Sequence, residues 1–270
     1  DQDTLYGYSF GDRQVRVSSD LGKTWKLVRK YVNPHLFWGD VGQGDHNTSI
    51  HMEVQDPLTG RYKYMTCLAP YQDDDCQDVT AASDISHIDM DSLLLHKEYI
   101  FVQQSSPFST HLYVSYKRGV FRRAHFPGDL HPQDFSIVNA DEGQVFIAAN
   151  HMESSVSLYL SDATGVYYTL SLERVVALRQ RSGKFDADLY EVQGLKGTYL
   201  VNQLTDNSPC TMISYDQGGQ WEKIPAPPRD RQGGATNCKL PSCSLHLHLK
   251  YSTLVYGRTP ILSEVNAPGI

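Results

Sequence analysis

Two histidines and two neighbouring acidic residues are the first candidates for chemistry in this sequence. His246 and His248 are two residues apart, so on a strand both imidazoles would lie on one face, a geometry that can bind a metal ion. No further ligand accompanies them, and a paired or exposed strand position explains them more simply. Asp141 and Glu142 could form a catalytic acid pair, but they precede the strand-like residues 144–146 and are typical of a polar turn.

A glycosidase of the sialidase type is one enzyme class to test against this sequence. Such an enzyme needs an arginine cluster to bind a carboxylate, plus an acid and a nucleophile. The arginines of this chain are scattered instead. The close ones are Arg122 with Arg123, Arg179 with Arg181, and Arg229 with Arg231. All are more simply solvated surface, and the sequence has no phosphate loop or nucleophilic serine elbow. We therefore predict a non-enzymatic protein without a metal or cofactor.

Cysteines indicate the compartment. Cys67 and Cys76 bracket a polar turn, and Cys238 and Cys243 bracket a shorter one, so each pair could close a local disulfide. Four unrelated reduced thiols are the alternative, and zinc is less favoured because neither pair has the spacing of a zinc knuckle. Cys210 is left over, and its strand-like context predicts a buried free thiol.

A glycosylation sequon and the charge balance narrow the function further. Asn47 begins an Asn-Thr-Ser sequon, which together with the cysteine pairs favours an extracellular or lumenal setting. The chain has 24 Lys and Arg against 31 Asp and Glu, a formal charge of −7, which argues against nucleic-acid binding because that requires a clustered basic surface. The longest apolar stretches, such as residues 99–102, are strand-sized, so any membrane span is expected outside this segment.

A recurring turn motif predicts the elements that must position any site. Two complete copies share four residue types at the same spacing: Ser18, Asp20, Gly22 and Trp25, and Ser214, Asp216, Gly218 and Trp221. Each copy follows an alternating strand, which places it in a hairpin. Glycine accepts the positive φ of a tight turn, and the Ser and Asp oxygens can bond the turn's amides. We therefore assign both carboxylates of this motif, an Asp box, a structural role.

Degraded copies of the motif lie around Ser115, with Lys117 in place of the Asp, and around Ser161. The first interval between motif glycines is about twice the others, which predicts an unmarked unit at residues 62–67, entering the Cys67/Cys76 turn. Units of about 40–50 residues are typical of propeller blades. The sequence thus predicts an all-β fold, a β-propeller of about five four-stranded blades in one domain over residues 1–270. Residues 170–179 have a plausible helical composition, although a strand fits at least as well.

Several segments carry a more specific resemblance. They are residues 141–146, 158–165, 190–197, 211–221, 243–249 and 260–269. In order and with few gaps, they make the chain resemble the Vps10p domain of the sortilin receptor family, in a SorCS-like or SorLA-like form. The resemblance implies local disulfides for both cysteine pairs. It also implies a ten-bladed propeller with a wide tunnel, of which this chain is a truncated part.

The resemblance further implies a single-pass receptor of the cell surface, Golgi and endosomes. Such receptors bind peptides, propeptides or secreted proteins, including neuropeptides and neurotrophins, direct their sorting and endocytosis, and can form homodimers. In the sortilin branch an arginine and a Tyr-Ser pair hold a peptide's C-terminal carboxylate inside the tunnel. The arginine position falls at Thr110 and the pair at Phe135 and Ser136, so only Ser136 matches. We expect Gln103, Thr110, Phe135 and Ser136 to form any tunnel wall, without the charge clamp.

Two other hypotheses remain open at this point. The Asp boxes also occur in sialidase-type glycosidases. A purely structural arc, with its binding surface on blades outside this segment, is the third possibility.

Overall fold

The computed structural model describes residues 4–71, 75–127, 134–141, 143–150, 156–179, 185–205 and 208–251. The chain divides into two compact units. The first comprises residues 1–125 with 164–166, and the second comprises residues 126–163 with 167–270.

Three antiparallel sheets make up the first unit. The first sheet contains β1 (Leu5–Ser9), β2 (Gln14–Ser18) and β3 (Lys26–Lys30). The second contains β4 (Val32–Trp38), β5 (Ile50–Gln55), β6 (Tyr62–Cys67) and β7 (Cys76–Asp78). The third contains β8 (Leu94–His96), β9 (Tyr99–Ser105), β10 (Thr110–Tyr116) and β11 (Arg122–Arg123). Short 3₁₀ turns cover Val41–Gln43 and Ala81–Ser83.

Two further meanders and a small ribbon make up the second unit. The first meander contains β12 (Asp134–Asn139), β13 (Phe146–Asn150), β14 (Val156–Ser161) and β15 (Tyr168–Val175). The ribbon contains β16 (Ala177–Arg179) and β17 (Phe185–Ala187). The last meander contains β18 (Leu189–Glu191), β19 (Tyr199–Thr205), β20 (Ser208–Ser214) and β21 (Glu222–Lys223). Among the described residues, the pairing of Val175 with Gln203 joins the two meanders.

In all five meanders, strands that follow each other in sequence also pair in space. Four of them have four strands and the first has three, and antiparallel four-stranded meanders are the repeating unit of β-propellers. The predicted all-β fold class is therefore confirmed, with about five blade-like units. Residues 170–179 lie almost entirely in β15 and β16, so the helical alternative for them is wrong.

Strand β5 shows why each sheet of the first unit needs neighbours. Consecutive residues of a strand point to opposite faces, yet residues 50–54 are all buried. Ile50 and Met52 lie in a core cluster with Val15 and Val28 of the first sheet. The opposite face carries His51 and Glu53, two buried polar side chains whose partners lie in the second sheet and in the loops that precede β5 and β8.

Candidate ligand-binding site

In each complete Asp box the carboxylate forms hydrogen bonds within its own turn. Ser18 Oγ accepts a hydrogen bond from the Gly22 amide at 2.8 Å and donates to Asp20 at 2.7 Å. Asp20 also accepts from the Thr24 amide at 2.9 Å and the Thr24 hydroxyl at 2.7 Å. These bonds, the Thr24 amide foremost, lower the pKa of Asp20 to about 2. A carboxylate held ionised in this way is suited to shaping a turn rather than to transferring protons.

The second Asp box repeats this geometry and adds a tie to the neighbouring sheet. Ser214 Oγ accepts from the Gly218 amide and donates to Asp216, both at 2.8 Å. The Trp221 indole donates to Ser171 Oγ at 2.9 Å, whereas Trp25 in the first box is 41% exposed. The second box therefore ties β15 to the turn between β20 and β21.

In the other meanders, different bonds are found where the last two strands meet. Ser115 Oγ donates to the Gly119 carbonyl at 2.6 Å, and Ser161 Oγ accepts from the Val145 amide at 2.7 Å. In the second sheet Cys67 and Cys76 face each other across β6 and β7 and are joined by a disulfide. The unmarked unit thus carries a covalent link at the position where other units carry a hydrogen-bonded turn.

A second disulfide joins Cys238 to Cys243. Cys210 forms no disulfide and is half-buried rather than buried, with its Sγ 3.4 Å from Ser244 Oγ. Asn47 is exposed in the turn that precedes β5. A glycan transferred to its amide would extend into solvent.

The four residues expected on a tunnel wall lie in two units, and each pair is described within its own. In the first unit Thr110 is 9% exposed, and its hydroxyl is 3.0 Å from that of Ser105. Gln103 is half-buried on β9, opposite Leu112.

In the second unit Phe135 is buried, and its ring stacks on Phe126 with centroids 5.3 Å apart. Ser136 is half-buried on β12, opposite Ala148. Neither Thr110 nor Phe135 offers a formal charge, so a contact with a peptide carboxylate at these positions would have to use hydroxyl or backbone groups.

Sequence reasoning missed a buried charged network in the first unit. Arg118 donates to Asp45 in a bidentate arrangement, with Nε to Oδ1 at 2.7 Å and Nη2 to Oδ2 at 2.6 Å. The same carboxylate lies 3.4 Å from His51 Nε2, and His51 Nδ1 is 2.7 Å from the Tyr64 hydroxyl. Burial is the largest single influence on Asp45 and opposes its ionisation. The hydrogen bonds from Arg118 and the Asp40 amide, together with the charges of His51 and Arg118, outweigh burial, so the pKa of Asp45 is lowered. This network ties the turn after β10 to the loop before β5.

A second buried carboxylate, Glu53, is 1% exposed. It accepts hydrogen bonds from Asn33 Nδ2 at 2.5 Å, the Asp91 amide at 2.8 Å and the Leu93 amide at 2.7 Å. Glu53 therefore anchors the segment that leads from the second sheet into the third. No local pattern in the sequence signals either network, because the partners are up to 73 residues apart.

The residues first considered for catalysis or metal binding do not assemble into such a site. Within the described ranges no group of three or more His, Cys, Asp or Glu side chains could hold a metal ion. His246 and His248 lie with their rings perpendicular, and His246 Nδ1 is 3.2 Å from Thr211 Oγ1. Arg122 and Arg123 are exposed on β11. Two further candidates, Glu142 and Arg181, fall outside the described residues.

His51 gives the first testable consequence, a dependence of stability on pH. Burial lowers the pKa of His51 below its ordinary value, so the unfolded state binds the proton more readily and stability is lost as pH falls through about 6.5. We expect His51→Gln to lower Tm at neutral pH but to reduce the further loss of Tm between about pH 7 and pH 5. Thermal unfolding at both pH values measures this. An equal acid loss in His51→Gln and in the exposed control His46→Gln would contradict it.

Together these features define a class: an all-β protein of antiparallel meanders whose outer hairpins are closed by Asp boxes and a disulfide. A family model narrows this class. Sortilin-Vps10, described as sortilin, neurotensin receptor 3, matches residues 2–270, and the chain belongs to this family. The family model and the relatives that match this chain are described as receptors, which favours the receptor hypothesis over the glycosidase hypothesis.

Known relatives agree with this assignment. Human SorCS1 is 36% identical over 273 residues, which cover 100% of this chain and 23% of that receptor. Human SorCS2 is 35% identical over 274 residues, with the same coverage. The sortilin-related receptor of mouse is 30% identical over 290 residues, covering 97% of this chain and 13% of that receptor. The chain thus spans less than a quarter of the length of these receptors.

Solved structures add little at their level of similarity. TolB from Acinetobacter baumannii has a TM-score of 0.41 and 10% identity, covering 81% of this chain and 50% of that one. This score is too low to support an argument. Among the described residues, no helix has the length and apolar character needed to cross a membrane.

Proposed function

We propose that this chain is part of the ligand-binding ectodomain of a single-pass sorting receptor, which binds peptides, propeptides or secreted proteins and directs their trafficking. The match of the Sortilin-Vps10 model along residues 2–270 carries this proposal. The two disulfides and the exposed sequon at Asn47 support it, since both suit an extracellular or lumenal environment. On this proposal residues 1–270 form one continuous part of a single propeller.

An uptake experiment tests the trafficking part of the proposal. Cells that express the full-length protein should internalise a fluorescently labelled ligand, and deletion of residues 1–270 from it should abolish uptake. Surface staining of an epitope outside the deleted segment shows that both forms reach the membrane. Uptake that is unchanged by the deletion would contradict a ligand-binding role for this segment.

Within this function we propose Gln103, Thr110, Phe135 and Ser136 as residues of a tunnel wall that lacks the sortilin-type charge clamp. The absence of an arginine at Thr110 supports the second part of this proposal. A guanidinium binds a carboxylate through two parallel charge-assisted hydrogen bonds, which a threonine cannot replace.

The missing arginine leads to a prediction about the ligand's C-terminus. We expect a peptide with a free C-terminal carboxylate and the same peptide with a C-terminal amide to bind with affinities within about twofold, because no charge-assisted pair is lost. Calorimetric titration of the full-length protein with both peptides measures the ratio. A loss of about tenfold or more on amidation would show that another cation holds the carboxylate.

A further inference from the structure

A cleft of about 640 Å³ runs along the outer strand of the first sheet, β3. Its lining includes Leu27, Val28, Arg29 and Lys30, four consecutive residues of that strand. Side chains alternate between the two faces of a strand, so consecutive residues line a cleft only where the backbone edge itself opens into it. The cleft is therefore a groove beside a strand edge.

The edge of β3 that faces this groove has no strand partner among the described residues, because β3 ends the order β1-β2-β3. Among the last strands of the other four meanders, β15 has 8 residues but pairs with β19, and the other three are shorter than the 5 residues of β3: β7 has 3 residues, and β11 and β21 have 2 each. Free strand edges present unpaired N–H and C=O groups that can accept another strand. With 5 residues, β3 is long enough to form several main-chain hydrogen bonds with an added strand.

Charge distinguishes this edge further. All three charged residues of β3 are cations, Lys26, Arg29 and Lys30. Within the part of the chain that the structure describes, Arg29 and Lys30 have no ion-pair or hydrogen-bond partner for their side chains, whereas Lys26 donates to the Pro70 carbonyl. Like charges placed opposite each other destabilise a strand pair. The edge is therefore unsuited to pair with β3 of a second copy and complementary to an acidic strand.

The two carboxylates that line the cleft are already engaged. Asp56 accepts from the Leu58 amide at 2.8 Å and the Thr59 amide at 3.1 Å. Asp78 pairs with Lys63 at 3.0 Å and accepts from the Thr80 hydroxyl at 2.7 Å. Neither is positioned against Arg29 or Lys30 as an ion-pair partner, so those two cations remain available to a ligand.

Apolar side chains complete the groove. Val28, Val54 and Met65 are 2%, 6% and 8% exposed and form its floor, while Leu58, at 94% exposed, stands at its rim. An added strand would place alternate side chains toward this apolar surface and toward solvent.

We propose that the edge of β3 binds an extended acidic segment of a protein ligand as an additional strand. Main-chain hydrogen bonds to β3 supply the register. Carboxylates on the solvent face of the segment pair with Lys30 and are attracted by the nearby charge of Arg29, and apolar residues on its other face contact Val28 and Met65. This interaction goes beyond the proposed function, because it uses none of the residues assigned to the tunnel wall.

The test uses short peptides and the full-length protein. The probe alternates Glu and Val, and one control alternates Lys and Val. A second control alternates Glu and Pro, which keeps the charge but removes the backbone N–H donor at every second residue and disfavours pairing as a strand. We expect saturable binding of the Glu-Val peptide only. The double variant Arg29→Ala/Lys30→Ala should weaken that binding about tenfold. Lys23→Ala, which removes one exposed cation from the adjacent turn, should leave it within about twofold.

Four results would overturn the proposal. They are no binding of the Glu-Val peptide, equal binding of the Glu-Pro peptide, equal binding by the double variant, and self-association of the protein that the double variant abolishes without any peptide binding. Binding of a natural ligand to the same sample, unaffected by the double variant, would leave the proposed receptor function intact in each of these cases.

Discussion

Replacement of Glu53 by alanine should reduce the free energy of unfolding by about 3–5 kcal/mol. The carboxylate is 1% exposed and accepts hydrogen bonds from Asn33, Asp91 and Leu93. Its removal leaves the buried Asn33 and Leu93 donors and the part-buried Asp91 amide without this acceptor and opens a cavity. Each unsatisfied buried donor costs about 1–3 kcal/mol. Chemical denaturation monitored by tryptophan fluorescence measures the change.

Two further variants make the Glu53 result specific. Glu53→Gln keeps the volume and one acceptor oxygen, so it should lose less than the alanine variant. Glu98→Ala removes a partly exposed carboxylate paired with Lys117 at 3.4 Å, and its loss should stay below about 1 kcal/mol. A Glu53→Ala protein as stable as Glu98→Ala would contradict the anchoring role.

Replacement of Arg118 by alanine should cost about 3 kcal/mol, because it leaves the Asp45 carboxylate buried beside His51 without its bidentate partner. The Arg118 side chain is 16% exposed and that of Asp45 is 6% exposed, so water compensates for little of the loss. Arg118→Lys keeps a positive charge but not the planar fork, and should fall between the wild type and the alanine variant. Unfolding in denaturant measures all three proteins.

The double variant Arg118→Ala/Asp45→Ala tests whether the Arg118 effect comes from the pair. It should be no less stable than Arg118→Ala alone, because it removes the uncompensated carboxylate. If the loss of stability in the double variant equalled the sum of the losses in Arg118→Ala and Asp45→Ala, Arg118 and Asp45 would contribute independently.

The repeat of local motifs made much of the fold predictable. Ser18, Asp20 and Gly22 form a turn by bonding to one another within a few residues, so their spacing in the sequence is their geometry in space. The unmarked unit was predictable for a related reason. Cys67 and Cys76 are close in the sequence and face each other across a single hairpin.

The buried networks could not be predicted because they depend on contacts between sheets. Nothing near Arg118 in the sequence distinguishes it from the exposed Arg122, and only the packing of the third sheet against the second brings it to Asp45. Cys210 illustrates the same limit. The strand that contains it was predictable, but the burial of its side chain depends on how the segment around Ser244 packs over it in the tertiary fold.

The cleft beside β3 could not be predicted from the sequence either. The segment Lys26–Lys30 follows an Asp box and contains no motif that marks a binding site. The sequence does not reveal which strand ends a sheet or which cation lacks a partner. Tunnel-wall residues, by contrast, were placed through family resemblance alone and depend on the ligand-binding proposal.

Calorimetric titration of the full-length protein with a panel of propeptides, neuropeptides and secreted proteins tests that ligand-binding proposal most directly. The account predicts saturable binding of at least one member of the panel, lost when residues 1–270 are deleted. No detectable binding across the panel, by a protein whose unfolding transition shows it to be folded, would contradict it.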